Sequence, residues 1–168
     1  MNVVFIPNVK NGMNNPNLIN YDYSIKGWKK WCDKNGCELF VLEDTIFPIE
    51  EMKITWQRYY VFDLLENAGI DYENVLMVDA DTFVHPECPN FFDMMDDSYV
   101  GVHNYGSYDW IIRGLEWYKF LFKKKGFDVF TYANSGFQLM GKKHKDFYTK
   151  MLELWETHGD DIIKISEK

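Results

Sequence analysis

Basic clusters, paired cysteines and long apolar runs are all scarce in this chain of 168 residues. Lysine and arginine total 18 against 26 aspartates and glutamates, a formal net charge of -8. A nucleic-acid binder needs clustered cations to displace counterions from phosphate, so this balance excludes nucleic acid as a partner. The one basic cluster, Lys123-Lys124-Lys125, falls where a helix is predicted to end and complements the helix dipole there. The 3 cysteines, Cys32, Cys37 and Cys88, have no metal-ligand spacing and read as reduced thiols of a cytoplasmic protein. No apolar run approaches the ~20 residues of a membrane-spanning helix. Residues 1–6 lack the basic start of a signal peptide and run straight into strand-like sequence, so neither leader nor anchor is expected. Internal repeats, low-complexity tracts and linkers are absent too, which points to one domain over residues 1–168.

What the chain does carry is an alternation of short apolar runs and helical stripes. Val3-Val4-Phe5-Ile6 reads as a buried first strand ending at Pro7-Asn8. A polar loop, Asn11-Gly12-Met13-Asn14-Asn15-Pro16, follows. Tyr21, Ile25, Trp28 and Cys32 then recur at helical spacing, and Asn35-Gly36 stops that helix. Glu38-Leu39-Phe40-Val41-Leu42 is a second strand leading into Glu43-Asp44. Ile54, Val61, Leu65 and Ala68 mark a second helix closed by Gly69, and Val75-Leu76-Met77-Val78 is a third strand. Further on, Tyr99-Val100-Gly101-Val102 predicts a fourth strand. Trp110, Ile111, Leu115, Tyr118 and Phe122 predict a helix ended by Gly126. Phe137-Gln138-Leu139-Met140 predicts a short late strand, and Phe147, Met151, Leu154 and Trp155 a final helix stopped by Gly159. The early order, strand-helix-strand-helix-strand, predicts an α/β domain of Rossmann-like type, with a mixed, mostly parallel central sheet flanked by helices. Ligands of such sheets bind beyond the carboxyl ends of the strands. Pro7-Asn8-Val9, Glu43-Asp44 and Asp79-Ala80-Asp81 all fall at those ends.

Asp79 and Asp81 stand out among these. On an extended chain, residues i and i+2 point to the same side, so the two carboxylates can approach one cation. They follow a wholly apolar strand, where an uncompensated pair of charges would be costly. Carboxylate oxygens suit a hard ion, Mg2+ or Mn2+, which would bridge them to a diphosphate and stabilise its departing charge. The alternative reading is a pair of aspartates capping a turn.

Asn74-Val75-Leu76-Met77-Val78-Asp79-Ala80-Asp81-Thr82-Phe83-Val84 resembles the DxD segment of glycosyltransferases with the glycosyltransferase A fold, above all the glycogenin-like and related galactosyl- and xylosyltransferase families. Trp56-Gln57-Arg58-Tyr59-Tyr60-Val61-Phe62 is similar to the Arg-bearing helix that precedes that segment. Tyr132-Ala133-Asn134-Ser135-Gly136-Phe137-Gln138-Leu139-Met140 is similar to its later N-S-G segment. The likeness runs in order over residues 1–145. It implies a nucleotide-sugar donor, usually a UDP-sugar, a divalent metal, and an acceptor that the sequence leaves open among glycan, protein and lipid.

The remaining candidates are read from the residues with this resemblance beside them. Arg58 lies in line with the apolar stripe of its helix and needs a partner, either a donor phosphate or a carboxylate such as Asp79. Asn134, Ser135 and Gly136 supply an amide, a hydroxyl and a residue without Cβ; the alternatives are sugar contact and a plain turn. Pro7, Asn8 and Val9, with residues 42–44, are expected near the nucleotide base. Asp160 and Asp161 follow Gly159, and by the resemblance one of them faces the acceptor. It would be a general base in an inverting enzyme, or would stabilise oxocarbenium-like charge in a retaining one. The family also uses a third metal ligand, often His, further downstream; without one, water and phosphate complete the shell. His85, His103, His144 and His158 are not assigned as ligands. Aromatics reach 18% of the chain, and they serve either a Tyr- and Phe-rich core or a site where rings face sugar.

Two other functions compete. Asp79-Ala80-Asp81-Thr82-Phe83 also resembles the nucleophile motif of haloacid-dehalogenase-type phosphatases, with Gly159-Asp160-Asp161 as the late acidic motif. In that family the nucleophile follows the first core strand, whereas here two strand-helix units precede it. The other competitor is a non-catalytic domain that binds a nucleotide sugar without turning it over.

Overall fold

In the first and third strands apolar residues occupy every position, odd and even, so both faces of these strands must be covered. A computed structural model describes residues 1–9, 21–96, 98–103, 106–122, 128 and 132–166, and it bears this out. Strands β1 (Asn2–Pro7), β2 (Glu38–Leu42), β3 (Asn74–Val78), β4 (Val100–His103) and β5 (Ala133–Gly141) form one sheet in the order β2-β1-β3-β5-β4. β1 runs parallel to β2 and β3, while β5 is antiparallel to both β3 and β4. Val3, Phe5, Val75 and Met77 bury one face against Val61, Phe62, Leu65 and Tyr148. Val4, Ile6, Leu76 and Val78 bury the other against Trp28, Trp31, Cys32 and Phe92. The fold is α/β, with a mixed sheet whose parallel part carries the first three strands and helices on both faces.

Helix α1 (Asp22–Asn35) ends where Gly36 takes φ 66, the left-handed conformation that closes a helix without a Cβ penalty. The second helical region ends likewise at Gly69, φ 70. It is not continuous: α2 (Ile54–Gln57) tightens into a 3-10 turn over Arg58–Tyr60 before α3 (Val61–Asn67). The tightening lets two adjacent polar residues, Gln57 and Arg58, both turn inward. Gln57 bonds the backbone of Ile46, Phe47 and Met52, tying down the segment before the helix.

Three expectations are corrected. β5 begins at Ala133, so Asn134-Ser135-Gly136 lies inside a strand and is no turn leading to one. α4 (Tyr108–Tyr118) gives way to a 3-10 turn over Lys119–Phe122. Gly126, Lys123-Lys124-Lys125 and the polar loop at residues 11–16 lie outside the described residues. Gly159 does not stop the last helix: α5 runs unbroken over Lys145–Ser166. A Cβ at Gly159 would come within 3.0 Å of the Trp155 indole, so this glycine makes room for a tryptophan packed one turn earlier. Asp160 and Asp161 therefore continue α5 and begin no new segment. Among the described residues no helix is long and apolar enough to cross a membrane. All 3 cysteines are unpaired, and burial pushes the Cys32 thiol up to about 12.

Candidate functional site

Because β1, β2 and β3 are parallel, their carboxyl ends share one edge. Pro7 aligns with Leu42, the Asn8 amide donates to the Leu42 carbonyl (2.9 Å), and Phe5 aligns with Met77, two residues before Asp79. Asn8 is buried there and Val9 half-buried. The three polar strand ends read from the sequence thus meet, with Asp79 at the centre of the sheet.

The chain does not stay extended after Asp79. The Thr82 amide and hydroxyl both donate to the Asp79 carbonyl, at 3.0 and 2.6 Å, and close a turn. Ala80 is buried in the cluster beneath α1, Asp79 is half-buried, and Asp81 is exposed. The same-side argument for i and i+2 assumed a strand, so the turn, not the pleat, sets where the two carboxylates point. α1 pins this turn: the Trp28 indole N–H donates to Thr82 Oγ1 (3.1 Å), and the Ser24 hydroxyl donates to the Thr82 carbonyl. Sequence reasoning missed Ser24, Trp28 and Thr82. Their only local signal was a polar residue in a buried helical stripe and a hydroxyl three residues after Asp79.

Asp79 meets β5 from the other side. Its amide donates to the Gly136 carbonyl (3.0 Å), extending the β3–β5 ladder by one rung. A Cβ at Gly136 would lie 2.4 Å from Asp79 Oδ2. The close approach that this glycine permits is to the Asp79 carboxylate itself. Between Gly101 and Val102 the β4–β5 register slips, from Gly101 opposite Gln138 to Val102 opposite Asn134. Such a bulge leaves backbone groups outside the ladder and re-aims them. The Ser135 carbonyl accepts from Arg58 Nη1 (3.1 Å) and from Gln138 Nε2 (2.9 Å).

Arg58 is the charge partner of the site. Its Nη1 lies 2.8 Å from Asp79 Oδ1, with the Arg58 side chain 9% and the Asp79 side chain 34% exposed. Of the two partners read from the sequence, the structure supplies the carboxylate. Gln138 completes the network, since its Oε1 accepts from both Tyr99 and Tyr148, each at 2.5 Å. Burial raises both phenols, Tyr99 to about 12 and Tyr148 further still. A raised tyrosine favours the neutral folded state below its unfolded pKa of ~10 and loses that contribution as pH rises through the folded value. Stability is therefore expected to fall between about pH 10 and 12. Tyr99→Phe should flatten that fall in a melting series from pH 8 to 12; an unchanged slope would remove Tyr99 from the linkage.

The other predicted positions divide. Asn134 and Ser135 are exposed at the start of β5, and Asn134 Oδ1 accepts from the Gly136 amide (2.6 Å). Asp160 and Asp161 are exposed on α5 and border a separate hollow with Glu51, His158 and Lys164. Asp161 reaches Lys164 at 3.8 Å, and no described hydrogen bond or ion pair joins either aspartate to Asp79. His85 Nδ1 accepts from the Glu87 amide, His144 Nδ1 accepts from the Gly141 amide, and His158 packs edge-on against Phe120.

Among the described residues no group of three or more His, Cys, Asp or Glu gathers as a ready cation shell. With Oδ1 held by Arg58, Asp79 Oδ2 and the exposed Asp81 carboxylate are the oxygens that would hold a hard cation, with phosphate and water supplying the rest.

No family model matches the chain, and no curated protein matches it in sequence. Among solved structures the fold is similar to that of a glycosyltransferase involved in the glycosylation of the major capsid of PBCV-1. The TM-score is 0.61 at 15% identity, over 92% of this chain and 66% of that one. This chain thus spans 66% of that protein's length, and at such low identity the likeness concerns the fold alone.

Proposed function

We propose that this protein is a metal-dependent glycosyltransferase that moves a sugar from a nucleotide-diphosphate donor, a UDP-sugar, to an acceptor hydroxyl. The supporting observation is the convergence of Asp79-Ala80-Asp81 at the central strand end with Asn134-Ser135-Gly136 of β5, in a glycosyltransferase fold. In this reading the base lies by Pro7, Asn8 and Val9. Asp79 Oδ2 and Asp81 hold Mn2+ or Mg2+, which supplies Lewis acidity at the diphosphate. Arg58 fixes the Asp79 carboxylate and offsets its charge beside the incoming phosphates. The bond between the anomeric carbon and the diphosphate oxygen breaks, and its electron pair leaves on the diphosphate. A bond to the acceptor oxygen forms, and the hydroxyl proton passes to a base. Sequence likeness offered Asp160 and Asp161 for that base, but they continue α5 and border a separate hollow, so neither is assigned to it. The phosphatase alternative loses support from the structure, since its late acidic motif falls within a helix.

A thermal-shift panel of UDP-, GDP- and other nucleotide sugars, with and without Mn2+, tests the reading. A UDP-sugar is expected to stabilise the protein only with the metal, by about 2.7 kcal/mol at a hundredfold excess over Kd. Within the same series Asp160→Asn and Asp161→Asn should bind donor and turn it over as the parent does, since both border a separate hollow. Absence of any metal-dependent shift, or turnover of a generic aryl phosphate, would sink the proposal.

A further inference from the structure

Next to the Asp79 cluster, between α2, α4, the start of β5 and the middle of α5, lies a cavity of about 650 Å3. Its walls carry five aromatic rings, Trp56, Tyr59, Trp110, Tyr118 and Tyr132. Asn134 and Ser135 stand at its rim. Trp110 meets Tyr132 edge to face, with centroids 6.2 Å apart, and Trp56 meets Tyr59 at 5.5 Å. Trp110 stays 54% exposed, so much of its indole is uncovered.

We infer that this cavity is the acceptor site and that the acceptor is an uncharged oligosaccharide. The inference rests on the transfer reading above and names the substrate that reading left open. Its first support is the order of elements across the sheet. The proposed base position lies on β1 and β2, the metal carboxylates on β3, and Asn134 and Ser135 on β5, the next strand over. The cavity opens beside the start of β5, with Asn134 and Ser135 in its lining. An acceptor seated there meets the donor sugar across Asn134 and Ser135, on the side away from the nucleotide.

The second support is the chemistry of the walls. The apolar C–H face of a pyranose packs on aromatic rings, and amide and hydroxyl groups pair with its hydroxyls. The Asn134 carbonyl oxygen is used by the Gly136 amide, which leaves its NH2 group to face a ligand; Ser135 Oγ has no hydrogen bond among the described residues. The charged side chain among the described lining residues is Asp128, a carboxylate. A phosphorylated lipid carrier or an acidic sugar would meet that like charge. The size also decides: pockets of ~300–1,000 Å3 hold compact, drug-sized ligands, so a short saccharide fits and a long polyprenyl chain does not.

The test has three arms on the full chain. Cellotriose, maltotriose and xylotriose are titrated without donor, with tryptophan fluorescence as the readout, against farnesyl phosphate and a glucuronic-acid trimer as charged controls. UDP-sugar hydrolysis with Mn2+ is measured without acceptor. Transfer to the best-binding saccharide is then measured in the parent, Trp110→Ala, Trp110→Phe and Trp117→Ala. Trp117 is exposed on α4 outside the cavity. The expected result is fluorescence change with a neutral trisaccharide alone. Trp110→Ala should raise the acceptor KM roughly tenfold, with a much smaller change in donor KM, while Trp110→Phe recovers most of it. Trp117→Ala should match the parent. Donor hydrolysis without saccharide binding would overturn the acceptor assignment and leave the transfer reading standing. Saccharide binding without any donor turnover would sink the transfer reading and leave a saccharide site. Preference for the charged probes, or an unchanged acceptor KM in Trp110→Ala, would overturn the inference outright.

Discussion

Asp79→Asn is expected to lose both stability and Mn2+-dependent donor binding, whereas Asp81→Asn is expected to lose the binding alone. The difference follows from Arg58. Its guanidinium is buried and has Asp79 Oδ1 at 2.8 Å as its ionic partner. Neutralising that partner leaves a charge in a poorly solvated place. Removing one member of a fully buried pair costs ~3–5 kcal/mol. Here the Asp79 side chain is 34% exposed, so water recovers part of the loss and about 2–3 kcal/mol is expected. Asp81 is exposed and has no such partner among the described residues, so Asp81→Asn should melt like the parent. Arg58→Ala should lose stability to a similar extent and weaken donor binding. Lys29→Ala, which breaks an exposed i,i+4 pair with Asp33, should leave both stability and binding close to the parent's. Urea unfolding and Mn2+-dependent UDP titration on the four variants check this. A parent-like midpoint for Asp79→Asn would mean that the ion pair does not hold the site, and parent-like UDP affinity for Asp81→Asn would remove the metal assignment.

How far the sequence carried depended on how local the cause was. Strands β1 and β3 were legible because each apolar run is buried on both faces, and the half-buried edge strand β2 because turn residues bound its apolar run. Gly36 and Gly69 were legible because each ends a helical stripe in a left-handed conformation. Gly159 looks the same in sequence, yet its reason is the Trp155 indole four residues earlier, and a packing glycine cannot be told from a stop without the helix around it.

The site was legible as a set of residues and not as a geometry. The line of Arg58 with Val61 and Leu65 demanded a partner, and Asp79 was one of the two that sequence could offer. The turn after Asp79 depends on Thr82, Ser24 and Trp28, which are 58 and 54 residues apart across their bonds. The bulge that frees the Ser135 carbonyl depends on how β4 pairs with β5. Neither is a local property. The aromatic residues divide: Trp28, Trp31 and Phe62 are core, while Trp56, Trp110 and Tyr132 line a cavity.

Gly136→Ala should be the most damaging single methyl group that can be added near the site. The backbone there is ordinary for an L residue, so the effect is steric and not conformational. The new Cβ would sit 2.4 Å from Asp79 Oδ2, 3.0 Å from Asp79 Cγ and 2.9 Å from Asn134 Oδ1. The carboxylate is short and already held through Oδ1 by Arg58, and its own amide is bonded to the Gly136 carbonyl. It cannot yield without loosening one of those contacts. Overpacking of this kind costs ~1–3 kcal/mol. The larger consequence is functional, because the oxygen displaced is the one proposed to hold the cation, and Mn2+-dependent UDP affinity should drop at least ~10-fold, the equivalent of about 1.4 kcal/mol. Gly27→Ala is the matched control. It lies within α1, its new Cβ would meet only the Val84 carbonyl at 3.7 Å, and a helical Gly→Ala change stabilises by up to ~1 kcal/mol. The two substitutions add the same atom and should move the melting temperature in opposite directions, with only Gly136→Ala losing the metal-dependent shift. If Gly136→Ala melts and binds as the parent does, the carboxylate of Asp79 is free to leave β5, and the site cannot owe its geometry to that contact.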